Sequence, residues 1–364
     1  VPGVYISYPF CNQKCTFCNF ASGVASAPRR SSYEQALLRE IRRHSWEWPP
    51  ETVYFGGGTP SLLHPSLLAE ILAAIPSRKL VEVTLECAPG TLTAEKVAQW
   101  VKCGVNRVSL GVQSFDPVEL RHSGRGHTAQ VVERDLELLR SRGITNINLD
   151  LIAGLPHQTE QSWDNSLDWI ERLAPPHVSV YLFEVDEDSR LGKEILTGGT
   201  RYSAAFLPSD DAATEFYETA VDRLAVSGYR RYEISNFAQS GFESVHNLKY
   251  WRLEPYVGFG LDAHSYDGTF RWGNPDSLEP YLKQGESAVP MHERERVDHF
   301  EERFFVGLRL SDGIRPTALE WSRFASPIRK WTELGMLEQD NGSLRLSSRG
   351  VLISNEVFQE FLNV

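Results

Sequence analysis

Cys11, Cys15 and Cys18 fall within eight residues of one another, a crowding that asks for a metal. Thiolates spaced four and three residues apart can wrap one face of a cuboidal iron–sulfur cluster and leave its fourth iron without a protein ligand. An iron left open in this way can bind a small molecule. Three other readings compete on the residues alone: inert buried thiols, a redox pair and a zinc site. Zinc normally takes a fourth Cys or His at a familiar spacing, and Asn19 and Phe20 follow instead. Cys103 falls on a helical pattern just before Gly104, and Cys87 follows Glu86 near the end of a strand, so both are expected as small buried hydrophobes rather than ligands. Five cysteines, an odd number without regular spread, suit a reducing, cytoplasmic setting better than a secreted disulfide framework.

The loop carrying these thiols directly follows a β-rich run, residues 4–7, and short β-rich runs then alternate with longer helical patterns to about Val185. Repeated βα units on a parallel sheet produce that pattern. Further strands are expected at 52–55, 81–85, 107–111, 147–152 and 178–183. The helices between them carry caps: Ser31 with Glu34 as a capping box, Thr93 closed by Gly104, and Thr128 closed by Gly143. The fold class is therefore α/β, a partial (β/α)6 barrel, and such barrels place chemistry at the C-terminal ends of their strands, where the cysteine loop lies.

Beyond the barrel pattern come a helix over 210–225 closed by Gly228, a β-rich run at 229–234, and an aromatic and glycine-dense stretch, 250–273, expected to cover one end of the barrel. From about Arg294 the pattern changes to helices near 297–310, 318–324 and 327–334, then short strands 336–338 and 344–346 around Asp340-Asn341-Gly342, a strong hairpin signal. This is a winged-helix-like helical unit. The expected division is a barrel over 1–240, a connecting segment over 241–293 and a C-terminal domain over 294–364.

A chain of 364 residues exceeds what one core of roughly 250 to 300 residues organises, which agrees with two unequal units. Its formal net charge of −11 argues against a nucleic-acid partner, whose affinity is built from clustered Lys and Arg. No apolar run approaches the roughly 20 residues of a membrane span, and the first ten residues lack the basic and apolar regions of a secretory leader.

Tyr5-Ile6-Ser7-Tyr8-Pro9-Phe10-Cys11 through Cys18 resembles the radical S-adenosylmethionine (SAM) superfamily, and within it the branch of oxygen-independent coproporphyrinogen III oxidases (HemN) and heme chaperones (HemW). The resemblance runs over essentially the whole chain and implies a 4Fe-4S cluster on the three cysteines with SAM at the open iron. Gly56-Gly57-Gly58-Thr59 looks like the family's glycine motif, where the main chain approaches the ligand closely. Glu86, Gln113 in Gly111-Val112-Gln113, Arg125 in Gly124-Arg125-Gly126-His127, and Asp150 in Asn148-Leu149-Asp150 match further SAM contacts, and Tyr5 matches an aromatic residue associated with SAM or substrate. Chemically, an Arg can pair the carboxylate of SAM and an Asp can accept its ribose hydroxyls. Singly, each residue reads equally well as a strand-end polar group capping a helix.

The resemblance leaves two functions in competition. One is oxidative decarboxylation of a porphyrinogen, with related radical SAM methyltransferases and cyclopropanases sharing the same front half. The other is a chaperone that binds heme and passes it to a client heme protein. Phe20 stands where the oxidases carry a further cysteine, Ser7 replaces a common His and Asn19 a common Asp. His246-Asn247-Leu248-Lys249-Tyr250-Trp251 matches the H-N-x-x-Y-W pattern associated with the chaperones, so His246 is expected as a heme ligand with Tyr250 and Trp251 stacking on the macrocycle, and His264 is a second candidate. The plainer alternative makes His246 a structural hydrogen-bonding group and the two aromatics core.

Overall fold

The computed structural model describes residues 2–76, 79–284 and 293–362; residues 1, 77–78, 285–292 and 363–364, which include the tail of the expected connecting segment and the last of the expected C-terminal domain, lie outside the described residues. Six parallel strands set the order: β1 (Gly3–Tyr8), β2 (Thr52–Gly57), β3 (Glu82–Cys87), β4 (Arg107–Gln113), β5 (Asn146–Ala153) and β6 (His177–Leu182). Each pairs with the next, and helices return the chain between them, which is the partial (β/α)6 architecture. Past β6 the sheet continues with an antiparallel pair, β7 (Arg230–Arg231) and β8 (Asn236–Ala238). On its other edge β9 (Tyr256–Phe259) runs parallel to β1, followed by β10 (His264–Tyr266), β11 (Phe270–Gly273) and β12 (Glu295–Arg296). The sheet order is β12-β11-β10-β9-β1-β2-β3-β4-β5-β6-β8-β7, so β1 and β6 do not meet and the barrel stays open.

Strand periodicity separates two chemistries. Val4 and Ile6, Val53 and Phe55, Val83 and Leu85, Val108 and Leu110, Ile147 and Leu149, and Val178 and Val180 form the fully buried apolar set against the helices. The intervening positions are polar and equally buried: Thr52, Glu82, Thr84, Arg107, Ser109, Asn148, His177 and Ser179. Buried polar groups must find partners, and these bond across the strands. Asn148 donates to Ser109 Oγ at 2.8 Å and to Asp150 at 2.7 Å, while Ser179 donates to Asn236 at 2.7 Å. His177 spans from Asn148 at 2.6 Å to the Tyr232 hydroxyl at 2.8 Å.

Local sequence accounts for most boundaries. Thr93 caps its helix by accepting the Lys96 N–H, and Gly104 follows in the left-handed region at φ +95°. Ser31 and Glu34, however, lie inside a helix that already begins at Ala27 after Ser26, with Pro28 in its first turn, so the expected capping box is not formed. Of the stretch expected to cover a barrel end, Tyr250 and Trp251 close a helix, Val245–Trp251, while the rest builds β9 to β11 beside β1, with Tyr256, Phe259, Tyr266, Phe270 and Trp272 in strands. The expected run at 229–234 yields only the two residues of β7 before the chain turns into β8.

The C-terminal unit packs Phe304, Phe324 and Phe361 together, with ring centroids 4.4, 4.9 and 5.6 Å apart. Its hairpin, β13 (Leu337–Asp340) and β14 (Ser343–Leu346), turns at Asn341 and Gly342, both at positive φ as a two-residue hairpin turn requires. The unit is tied to the barrel where the Ser311 N–H donates to the Tyr232 carbonyl at 3.0 Å and Leu310 bridges to Glu233.

Candidate functional site

The cysteine loop is held by its main chain from three sides. Cys11 N–H donates to the Gly23 carbonyl at 3.0 Å, Thr16 N–H to Ser123 at 3.2 Å, and Leu191 N–H to Thr16 at 3.0 Å. The loop therefore leans on the helix Pro117–His122 and on the segment after β6, leaving its thiols free to face inward. All three are free; Cys11 and Cys15 are buried and Cys18 is half-buried. Burial pushes the Cys15 thiol up, and the neighbouring Arg125 guanidinium, which hydrogen-bonds it, pulls it down.

Facing the loop, β2 ends in the glycine run. A Cβ on Gly58 would come within 2.7 Å of the Pro9 carbonyl carbon and 2.8 Å of Phe10 N, so only glycine lets β2 pass this close to the entry of the cysteine loop. Gly57, at φ +106°, turns the chain so that its N–H reaches Glu86. Glu86 also accepts the Tyr54 hydroxyl at 2.8 Å. Desolvation raises the Glu86 carboxyl to about 7, against the pull of the Tyr54 bond and with a further push from the charge of Asp150. Asp150 is likewise raised by burial, although Asn148 and Ser109 donate to it. Gln113 sits past a bulge in β4 at φ +71°, a strained position for a residue with a side chain.

One cavity of about 970 Å³ gathers Cys11, Cys15, Cys18, Gly57, Gly58, Thr59, Glu86, Gln113, Arg125 and Asp150. Tyr5 is not among its walls: it lies a layer deeper in the barrel, stacked on Tyr54 with centroids 6.1 Å apart and covering Gly56. Nor are His246, Tyr250 and Trp251. They belong to the helix Val245–Trp251 at the opposite, N-terminal end of β1 and β2, whose first turn is capped by Glu82 accepting the Val245 and His246 N–H groups at 2.9 and 3.0 Å. His246 is 1% exposed, its Nδ1 2.9 Å from Thr52 Oγ1 and its Nε2 2.8 Å from the Tyr250 hydroxyl, and burial lowers its pKa to about 3. His264 is exposed on β10, away from the cavity, 3.9 Å from Asp262. The sequence reading missed Tyr54, which the strand period places on the face of Gly56 and Glu86, and His127, two residues beyond Arg125. His127 lines the cavity with Nε2 lacking a partner among the described residues, while the ring bonds the Val112 main chain and burial lowers its pKa to about 4.

These side chains fit an iron–sulfur cluster and a zwitterionic ligand. Three thiols come from one loop, and among the described residues no three His, Cys, Asp or Glu side chains converge as a single metal ion needs; a cuboidal cluster instead takes each thiolate on a different iron. Arg125 lines the cavity as a cation that can meet an anion, and Glu86 and Asp150 offer acceptors to amino and hydroxyl groups.

Comparison with known proteins agrees with this chemistry. The radical SAM superfamily model matches residues 5–170 and the HemN C-terminal domain model residues 295–353. The chain is 33% identical to the heme chaperone HemW of Lactococcus lactis subsp. lactis (strain IL1403), over 98% of this chain and 96% of that protein. It is also 33% identical to the heme chaperone HemW of Bacillus subtilis (strain 168), over 98% of each. Among solved structures, coproporphyrinogen III oxidase (HemN) from Escherichia coli, a radical SAM enzyme, superposes with a TM-score of 0.85 at 21% identity, covering 100% of this chain and 90% of that one.

Proposed function

Because the chain belongs to the HemW branch of the radical SAM superfamily, we propose that it is a heme chaperone, binding heme together with a SAM-ligated 4Fe-4S cluster and handing the heme to an acceptor protein. The observation that carries the reading is the span of the likeness to the heme chaperones: it takes in 98% of the chain, hence both the cysteine loop and the C-terminal unit, whose residues wall the same cavity. At about 970 Å³ that cavity stands at the upper end of small-ligand sites, roughly 300 to 1,000 Å³. Cys11, Cys15 and Cys18 would hold the cluster, which when bound offers an open iron to the amino and carboxylate groups of SAM. Arg125 is placed to meet the carboxylate and Asp150 the ribose hydroxyls. Phe20, 63% exposed at the rim where the oxidases carry a cysteine, favours the chaperone over the decarboxylase.

His246 would have to give up its bonds to Thr52 and Tyr250 to ligate iron, which supports a structural part for it at the barrel floor. The test of the function is a titration of anaerobically reconstituted protein with ferric heme. A new Soret band rising to a single saturable endpoint, followed by transfer of the band to an apo heme protein, is the expected result. A flat titration would remove the chaperone reading, and release of carbon dioxide with 5′-deoxyadenosine from coproporphyrinogen III would replace it with an oxidase.

A further inference from the structure

The cavity extends beyond the residues assigned to the cluster and SAM, and the remaining wall has its own chemistry. Tyr181 and Phe183 at the end of β6, Ile234 before β8, and Val351 and Leu352 from the C-terminal unit give it apolar faces, and Arg309 is a cation among them. Arg309 is unusually placed. Its guanidinium lies over the Trp251 ring, 4.5 Å from the centroid, and 3.7 Å from Glu233 Oε2, beyond hydrogen-bond reach. Glu233 spends its other oxygen on the Ser235 N–H at 3.0 Å and the Asn236 amide at 2.5 Å. Arg309 Nε, Glu233 Oε2 and Trp251 Nε1 are all buried with no hydrogen-bond partner among the described residues. A guanidinium carries five donors and gains most from a planar carboxylate; the stacked indole and the distant Glu233 orient it without satisfying it.

We propose that Arg309 receives a propionate carboxylate of a tetrapyrrole whose macrocycle lies against the apolar faces of Tyr181, Phe183 and Leu352, an assignment that rests on the heme-binding reading. It gives Trp251 a part in that binding: the indole is the platform that holds the guanidinium towards the cavity. A large flat ligand with carboxylates on one edge suits a wall in which apolar faces adjoin the Arg309 guanidinium, with the polar Ser235, Ser354 and Asn355 and the acidic Glu184 and Glu356 lining the rest, whereas a small anion alone leaves the apolar faces without a role.

The test compares ferric heme with its dimethyl ester, which lacks the carboxylates, on reconstituted full-length wild type, Arg309→Gln and Arg309→Lys. Wild type is expected to prefer the free acid by about tenfold, the scale of one charge-assisted hydrogen bond. Arg309→Gln should lose that preference, and Arg309→Lys should keep part of it. Equal preference for the free acid in wild type and Arg309→Gln overturns the propionate assignment while leaving heme binding intact. Loss of both heme forms in step with the melting temperature, in the Lys variant as in the Gln variant, makes Arg309 a tie between units and also overturns it. Failure of wild type to bind either form overturns the heme reading itself, and this assignment with it.

Discussion

Glu86 is pulled in opposite directions by its strand and by its expected ligand. Burial at the end of β3 favours the neutral carboxyl and raises it from 4.5 to about 7, whereas the N–H donors of the SAM amino group are best met by the anion. In the ligand-free protein the folded state keeps a proton between about pH 4.5 and 7 that the unfolded chain has lost, so the contribution of this group to stability falls as pH rises through that window. Ligand affinity runs the other way, climbing as pH passes about 7 and levelling above it. Calorimetric titration of SAM across that range should show the climb in wild type and a weaker, flat dependence in Glu86→Gln; identical slopes would show that another group sets the pH dependence. At this scale the sequence was legible as to which local motifs come together, since Cys11 to Cys18, Gly57 to Thr59, Arg125 and Asp150 all line one cavity. Arg309 and Tyr181 were not legible, because only tertiary packing brings a residue of the C-terminal unit and one of β6 to the same wall.

Among the elements, the helix Val245–Trp251 shows how a motif can be read correctly as a pattern while its geometry stays hidden. Its spacing puts His246 and Tyr250 on one face, four residues apart, and that suits a ligand pair as well as a buried hydrogen bond. Strand register favours the buried hydrogen bond: Gly3 and Thr52 are partners at the start of β1 and β2, and a Cβ on Gly3 would stand 3.1 Å from the His246 ring, so the imidazole fills the space glycine leaves. His246→Ala removes bonds to Thr52 and Tyr250 and opens a cavity at the barrel floor, a loss of about 1 to 3 kcal/mol. The expected outcome is a lower melting temperature with the Soret endpoint of the heme titration unchanged. Loss of the band at unchanged melting temperature would instead make the imidazole an iron ligand. The strands themselves were legible because apolar residues alternate with polar ones over most of their length, one set for the helices and one for the interior. Ser31 with Glu34 misled because a capping-box pattern also occurs within a helix that Pro28 has already started.

Across the whole molecule, the open barrel and the C-terminal unit are joined by a cavity whose walls come from both, so two ligands should leave different marks on the same fold. β1 and β6 pair with β9 and β8 rather than with each other, so the barrel stays open, and the Ser311 bond to Tyr232 with the Asn355 bond to Glu184 at 3.2 Å ties the C-terminal unit to it. Ligand binding raises the cost of local opening wherever the ligand makes contact. SAM on the reconstituted protein should therefore slow amide exchange in the cysteine loop, at residues 57–59 and around Arg125, and leave the C-terminal unit unaffected. Heme should protect residues 181–184 and 351–356 together, because a macrocycle lying across the cavity cannot hold one wall without the other. Hydrogen–deuterium exchange with each ligand in turn separates the cases. Heme protection confined to the helix Val245–Trp251 would place the heme at the barrel floor, and would mean that the C-terminal unit closes the cavity for SAM alone.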